Sequence, residues 1–355
     1  MIARIATLVV LVGMVRSGYC DERQYSPPKE VRAAFRKLLD RPRVPLDVQL
    51  VSRVAKDGIV VERLRFTSEK KPDGSVERVP VYIARPEKAE GKLPAVIVLH
   101  GTGGTGTAMM PFMSELCRRG MIGVAIDARY HGERVGGKKG AQAYHDAITR
   151  AWRTRAGERH EHPFFYDTCW DLWRTVDYLE TRADFDSGRL GMIGFSMGGI
   201  QAWMAAAVDE RVRVTVPAIA VQSFRWSLDN ERWHGRARTI QPVNQVAAKD
   251  LGEPQVNQKV IRAVWAKLLP GVLHEFDCPS MIRLFAGRPL LIVSGEKDGN
   301  CPLPGAQLAF AQAEKAYMQA GCPEKLRIDV AAGVGHQVTP MQRDAALNWF
   351  VRWLK

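Results

Sequence analysis

Short apolar runs and helical stripes alternate along most of this chain. From about residue 90, apolar runs typical of strands buried on both faces occur at 94–100, 121–127, 190–195, 212–220, 290–294 and 326–330. Between them, apolar residues recur every three or four positions, which predicts helices over 109–119, 165–179, 199–208 and 305–320. This alternation predicts an α/β fold with a mostly parallel central sheet and helices on both faces.

The two ends of this pattern differ from its middle. A last helix is predicted after Thr339, because Thr is a good N-cap and Pro340 suits the first helical position. Before residue 90, the segments 48–66 and 79–85 are predicted as strands of a meander around the turn Pro72-Asp73-Gly74.

Two stretches interrupt the alternation, at 130–163 and 221–286. Long insertions in compact domains are usually functional, so we predict that 221–286 forms a small cap within one catalytic domain, 21–355. The alternative to a cap is a surface segment without a role in the site. Aromatic and basic side chains in these stretches are candidates for substrate contact: Trp226, Arg225, Trp233, Arg236 and His131. Packing against the main domain would also explain the tryptophans.

The first residues resemble a secretory signal. Met1–Arg4 carries a positive charge, Ile5–Val15 is apolar, and Ser17 and Gly18 are small. We therefore predict a signal peptide at 1–20 and export to the periplasm or the exterior, with a frayed terminus of a cytoplasmic enzyme as the alternative. The apolar run is shorter than the roughly 20 residues that span a bilayer, so no stable membrane span is expected.

Composition adds limited information about partners. The 355 residues are 46% hydrophobic and carry a formal net charge of +13. The basic residues are spread along the chain without a helix-turn-helix or zinc-finger signature, so a solvated surface is expected rather than nucleic-acid binding. Of the six cysteines, Cys278, Cys301 and Cys322 fall in predicted loops and could supply one disulfide, whose pairing the sequence leaves open. The oligomeric state is also left open.

The first candidate catalytic residue lies in Gly194-Phe195-Ser196-Met197-Gly198, a G-x-S-x-G between a predicted strand and a predicted helix. A strand that turns sharply into a helix exposes the Ser196 hydroxyl at the tip of the turn. The Met197 N–H then lies at a helix N-terminus, where donors are unpaired and negative charge is favoured. One segment thus supplies a nucleophile and half of an oxyanion hole.

A serine hydroxyl needs a base, and the base needs an acid to orient it. Asp298 follows the predicted strand 290–294 and His336 follows 326–330, which gives the order Ser, Asp, His of elbow-type hydrolases. All three residues are therefore expected at the carboxyl ends of strands, where open α/β sheets place their sites. Glu296 is the less favoured acid.

The second oxyanion donor should come from the loop His100-Gly101-Thr102-Gly103-Gly104. The Thr102 N–H is the preferred donor, because neighbouring glycines let the backbone approach a substrate closely. His100 is expected to be structural, since His336 already fills the role of base.

Over roughly residues 45–355 this combination resembles the α/β-hydrolase superfamily. Three motifs, 127–134, 162–167 and 194–199, are similar to the branch of dienelactone hydrolases and acetyl xylan esterases. The resemblance implies Ser196 as nucleophile, His336 as base and Asp298 as acid, with no cofactor or metal. Dienelactone hydrolases proper use Cys where this chain has Ser196, which favours ordinary esters with small acyl or acetyl groups, carbohydrate esters included.

Two other functions are compatible with parts of the sequence. Gly101-x-Gly103-x-x-Gly106 followed by Asp127 matches a dinucleotide fingerprint, which would make the protein an NAD(P)-dependent oxidoreductase. No Tyr-x-x-x-Lys pair occurs downstream to support that interpretation. A catalytically inactive carbohydrate-binding protein is the other alternative. His160-Glu161-His162 lacks the spacing of a metal site and is expected in a solvated loop.

Overall fold

A computed structural model describes residues 25–155, 157–158 and 161–355 of the chain. Within them, nine strands form one sheet in the order β1-β2-β3-β5-β4-β6-β7-β8-β9. The strands are β1 (Gln49–Lys56), β2 (Ile59–Lys70), β3 (Val76–Pro86), β4 (Leu93–Leu99), β5 (Ile122–Ile126), β6 (Phe185–Phe195), β7 (Val212–Ala218), β8 (Leu290–Gly295) and β9 (Leu326–Ala331). The pairings β1–β2, β2–β3 and β3–β5 are antiparallel. The pairings that join β5, β4, β6, β7, β8 and β9 are all parallel.

Helices cover both faces of this sheet. They are α1 (Pro28–Leu39), α2 (Met110–Arg118), α3 (Gln142–Arg153), α4 (Tyr166–Glu180), α5 (Met197–Val208), α6 (Phe224–Asp229), α7 (His234–Arg238), α8 (Gln241–Asp250), α9 (Gln258–Leu268), α10 (Cys278–Ile282), α11 (Leu303–Gln319) and α12 (Pro340–Leu354). Alternate residues of β4 separate the two cores: Val96 and Val98 pack with α2 and α12, whereas Ala95 and Ile97 face the core that contains α4 and α5. The predicted α/β fold is confirmed.

The antiparallel end differs from its prediction. Segment 48–66 contains two strands rather than one, because Asp57 (φ 53°) and Gly58 (φ 74°) make a tight turn between β1 and β2. The turn predicted at Pro72-Asp73-Gly74 joins β2 to β3. Helix α12 begins as predicted, with Thr339 and Gln342 forming a reciprocal capping box.

The stretch 221–286 folds as the five short helices α6 to α10 between β7 and β8. It has apolar contacts of its own, such as the edge-to-face pair Phe224–Trp265 at 5.2 Å. We call this stretch the insertion.

The described cysteines are all buried free thiols, so the disulfide considered among Cys278, Cys301 and Cys322 does not form. Among the described residues, no helix combines the length and the apolar character that a membrane span requires. The predicted signal peptide, 1–20, lies outside the described residues and stays a prediction.

Candidate active site

Ser196 lies in a tight turn between β6 and α5. Its backbone adopts φ 54° and ψ −113°, a conformation rare for a residue with a side chain. The turn closes because Gly194 and Gly198 have no Cβ: one added at Gly194 would lie 2.1 Å from the Gly198 carbonyl oxygen. One added at Gly198 would lie 2.6 Å from the His100 carbonyl oxygen. Only glycine at both positions allows this turn and its contact with the loop after β4.

The side chains of Ser196, His336 and Asp298 form one continuous hydrogen-bonded chain. His336 Nε2 is 2.7 Å from Ser196 Oγ, and His336 Nδ1 is 2.8 Å from Asp298 Oδ2. A carboxylate can only accept, so His336 Nδ1–H donates to Asp298 and leaves Nε2 free to accept from the serine hydroxyl. This arrangement can remove the hydroxyl proton as the oxygen attacks an electrophile.

The Asp298 carboxylate is held firmly. Its side chain is fully buried, whereas that of His336 is 24% exposed. Oδ1 accepts the backbone N–H groups of Asn300 and Cys301, both at 2.8 Å. Glu296, from the same turn, instead accepts the Gly333 N–H at 2.6 Å and so braces the loop that carries His336. Glu296 is closer to β8 in the sequence than Asp298 is, but it supports the His336 loop and not the imidazole.

Two backbone segments flank the serine. The first backbone bond of α5 runs from Ile200 N to Ser196 O at 3.0 Å, so the Met197 N–H precedes the helical ladder. The loop after β4 lies on the other side, since a Cβ on Gly101 would be 3.7 Å from Ser196 Cβ. Thr102 follows in that loop and is exposed. An oxyanion beside Ser196 could receive hydrogen bonds from both segments.

His100 holds the base of this loop. Its Nδ1–H donates to the Gly101 carbonyl oxygen (2.8 Å), and its Nε2 accepts the Ala128 N–H (3.1 Å). Burial lowers the pKa of His100 to about 4, so the ring is neutral at pH 7. The imidazole joins the ends of β4 and β5, which is a structural role.

Asp127 also has an internal task. Its buried carboxylate accepts the Gly106 N–H at 2.7 Å and the Glu133 N–H at 2.9 Å, and lies against Gly132. In a dinucleotide site, the loop amides would face a pyrophosphate and this acid would face a ribose. Here the loop amide and the acid bind each other, which removes the feature on which the oxidoreductase alternative rested.

Comparisons with known proteins agree with this geometry. A model of the dienelactone hydrolase family matches residues 79–235, which include Ser196. The putative hydrolase YtaP of Bacillus subtilis is 26% identical over 334 residues, 90% of this chain and 97% of that protein. Acetyl xylan esterase 1 of Thermoanaerobacterium sp. superposes with a TM-score of 0.64 at 21% identity, covering 94% of this chain and all of that one.

The chain has the fold of the α/β-hydrolases. Its similarity to the branch of dienelactone hydrolases and acetyl xylan esterases is confirmed by the family match and by the solved structures. Among those, a glucuronoyl esterase from Solibacter usitatus has a TM-score of 0.63 at 18% identity, with 92% of both chains covered.

The insertion borders a cleft of ≈ 660 Å³ beside the Asp298 turn. Trp226 lines the cleft together with Arg238 and Lys297. Arg225, the neighbouring candidate, lies 3.5 Å from Asp229 in an exposed ion pair and is not part of this lining.

Two further candidates for substrate contact require correction. Trp233 is 6% exposed and stacks on His234 with its ring 3.8 Å away, so it packs within the insertion. His131 is 1% exposed and lies between the rings of His100 and Tyr144. The structure therefore buries both side chains in local packing, and neither is among the residues that line the cleft.

The structure also brings together residues that the sequence did not single out as a unit. Asp298, Cys301 and His336 have ligand-type atoms within 4.8 Å of one another. However, the Arg236 guanidinium lies 2.8 Å from the Cys301 sulfur, and a fixed cation there opposes a metal ion. Glu161, from the motif examined for metal binding, accepts a hydrogen bond from the Tyr130 hydroxyl.

Proposed function

We propose that this protein is a serine carboxylic-ester hydrolase that transfers an acyl group to water. The observation that carries the proposal is the unbroken chain from Ser196 Oγ through His336 to Asp298, with contacts of 2.7 and 2.8 Å. Both distances lie within the hydrogen-bonding range that proton transfer from a nucleophile requires.

The reaction begins when Ser196 Oγ attacks the ester carbonyl carbon while His336 Nε2 takes the hydroxyl proton. The Met197 and Thr102 N–H groups then stabilise the negative oxygen, an effect worth roughly 3–4 kcal/mol for one donor. The imidazolium returns its proton to the leaving alcohol, and the acyl group remains on Ser196. His336 next deprotonates a water molecule, which releases the acid and restores the serine.

Asp298 acts through the imidazole. It accepts the Nδ1 proton and therefore fixes the tautomer in which Nε2 can act as base. Its negative charge also stabilises the imidazolium of the intermediate. Because Oδ1 is already held by two backbone donors, only Oδ2 is directed to His336.

The cleft beside the Asp298 turn supports a neutral, hydroxyl-rich substrate. Its lining contains the cationic side chains of Arg232, Arg238 and Lys297 and the carboxylates of Glu231 and Glu296. The Asp298 side chain is fully buried and adds no exposed charge. Both signs of charge are therefore present, and neither acidic nor basic ligands are strongly favoured. Trp226 offers a ring on which a sugar can stack, and neighbouring polar groups can bind hydroxyls. Acetyl esters of carbohydrates are therefore the proposed substrates, the class that the names of the acetyl xylan esterases also suggest.

A panel of p-nitrophenyl esters of increasing acyl length, run with an acetylated xylo-oligosaccharide, tests this proposal. We expect acetyl to be the preferred acyl group, and Ser196→Ala to lose activity by a factor of about 10⁶. Ser114→Ala is the matched control, because the Ser114 hydroxyl only bonds the Met110 carbonyl within α2. Activity that persists in Ser196→Ala would overturn the mechanism, and binding of the oligosaccharide without turnover would favour an inactive binding protein.

A further inference from the structure

The insertion packs directly on the turn that carries Asp298. Gly235 of α7 lies so close to this turn that a Cβ on it would be 1.9 Å from the Gly299 carbonyl oxygen. The next residue, Arg236, is 1% exposed and extends beneath the turn. Its Nη2 lies 2.8 Å from Cys301 Sγ, and the Cys301 N–H donates to Asp298 Oδ1. One cysteine therefore separates the guanidinium from the carboxylate that orients His336.

Cys301 has the hydrogen-bonding capacity to act as this link. Burial, together with the Asp298 charge, raises the pKa of its thiol to about 12, although the nearby Arg236 opposes the shift. The thiol is therefore neutral at pH 7. Its S–H donates to the Ile219 carbonyl oxygen at 3.2 Å, and its sulfur accepts from Arg236.

Ile219 is itself an unusual residue at the entrance to the insertion. It has φ 48°, a conformation that a β-branched side chain rarely adopts. Its N–H is fixed to the Val293 carbonyl of β8 at 2.7 Å. The backbone is thus held in a strained form that directs the Ile219 carbonyl to Cys301.

Arg236 differs from other buried arginines of the chain in its partners. Arg129 is equally buried, but it is paired with Glu69 and Asp171. Across the described ranges, no carboxylate lies within ion-pair distance of Arg236. With the Gln222 amide oriented to satisfy its neighbours, its oxygen accepts from Arg236 Nε (3.1 Å) and its nitrogen donates to the Asn300 carbonyl (2.9 Å).

Both nitrogen contacts of the guanidinium thus lead to the Asp298 turn, one through Cys301 and one through Gln222 and Asn300. A buried cation without a paired anion is expensive, so the contacts it does make must be well fixed.

We propose that Arg236 is a positioning residue, by which the insertion holds the Asp298 turn in the geometry that directs His336 toward Ser196. This role rests on the proposed esterase function, because it acts through the same three residues. A displacement of about 1 Å in such a group can cost about 10²-fold in rate. The insertion is then part of the catalytic geometry as well as a wall of the cleft.

The test compares Arg236→Met with Arg236→Lys by steady-state kinetics on p-nitrophenyl acetate, with active sites counted by phosphonylation. We expect Arg236→Met to lower kcat per titrated site by roughly 10- to 100-fold with KM within about twofold of wild type. Arg236→Lys should recover part of the loss, since one donor can still reach Cys301. Adding Cys301→Ala to Arg236→Met should cost less than threefold more, because the link is already broken.

Arg288→Met is the matched control. Arg288 is also buried, and it donates to the carbonyl oxygens of Ala206 and Val212, away from the Asp298 turn. This variant should lower Tm while keeping kcat per site. If Arg236→Met behaves in the same way, with normal kcat per site, Arg236 is merely structural and the proposal is wrong.

Three further outcomes are also interpretable. If Arg236→Met does not fold, Arg236→Lys and Cys301→Ala take its place, and full kcat per site in both would overturn the link through Cys301. If wild-type protein is phosphonylated at Ser196 without hydrolysing the ester, the rates of phosphonylation of wild type and variants are compared in place of kcat. Wild-type protein that shows neither reaction contradicts the esterase function itself, and the positioning role with it.

Discussion

The Ser196 elbow and the Asp298 turn lie at the same edge of the sheet but are held in different ways. The elbow is fixed by backbone packing, in which Gly194 and Gly198 allow main chains to touch. At the Asp298 turn, side chains add to the backbone contacts, and two of these side chains, Arg236 and Gln222, come from the insertion. The sheet therefore determines the geometry of the Ser196 elbow, whereas the insertion adjusts the geometry of the Asp298 turn.

The largest expected effect separates the two carboxylates that follow β8. Asp298→Asn should lower kcat by about 10³- to 10⁴-fold, because an amide can donate to His336 Nδ1 and stabilise the wrong tautomer. Glu296→Gln should retain most activity, since Glu296 contacts the Gly333 N–H and not the imidazole. Steady-state kinetics on one acetyl ester checks both variants, and equal losses would contradict the assignment of Asp298.

A second experiment compares one glycine of the elbow with one glycine of the Asp298 turn. Gly198→Ala should lower the free energy of unfolding by about 3 kcal/mol, because its Cβ would lie 2.7 Å from Leu99 and closer still to the His100 carbonyl oxygen. Gly299→Ala, in the Asp298 turn, meets no atom within 4 Å and should change stability by less than about 0.5 kcal/mol. Denaturant unfolding measures both, and similar losses would remove the contrast between the two regions.

Gly235→Ala tests the contact between the insertion and the Asp298 turn. A methyl group there would overlap the Gly299 carbonyl, so the insertion must shift away from the turn. We expect kcat to fall by roughly 10-fold or more, with a loss of stability of about 1–2 kcal/mol. Normal kcat per titrated site in a folded variant would show that the turn holds its geometry without the insertion.

The last comparison concerns pH and the elbow side of the site. Burial lowers the pKa values of His100 and His131 to about 4, and their rings lie 5.2 Å apart. Unfolding raises these values toward 6.5, so the unfolded chain binds more protons and stability falls as pH drops from about 6.5 to 4. Each histidine contributes at most about 1.4 kcal/mol per pH unit within that window. The slope between pH 6.5 and 5 should decrease in His131→Gln, and an unchanged slope would show that His131 does not titrate on unfolding.

The same contrast explains how much could be predicted from the sequence. The elbow follows from five adjacent residues, and the strand ends that carry Asp298 and His336 follow from local apolar runs. The contact between Arg236 and Cys301 joins positions 65 residues apart, and no local pattern indicates it. Helix α3 shows a different failure: its buried residues have helical spacing, but the polar and glycine-rich residues around them concealed it.

Asp127 has a consequence for any attempt to give this fold a different chemistry. Its carboxylate is a resident anion at the glycine-rich loop, placed where the Gly106 N–H would otherwise meet a phosphate. A nucleotide brought to this loop would meet a buried negative charge, and removing that charge would detach the loop from β5. The hydrogen bond from the Gly106 N–H to Asp127 therefore shapes the glycine-rich loop and also excludes phosphate ligands from it.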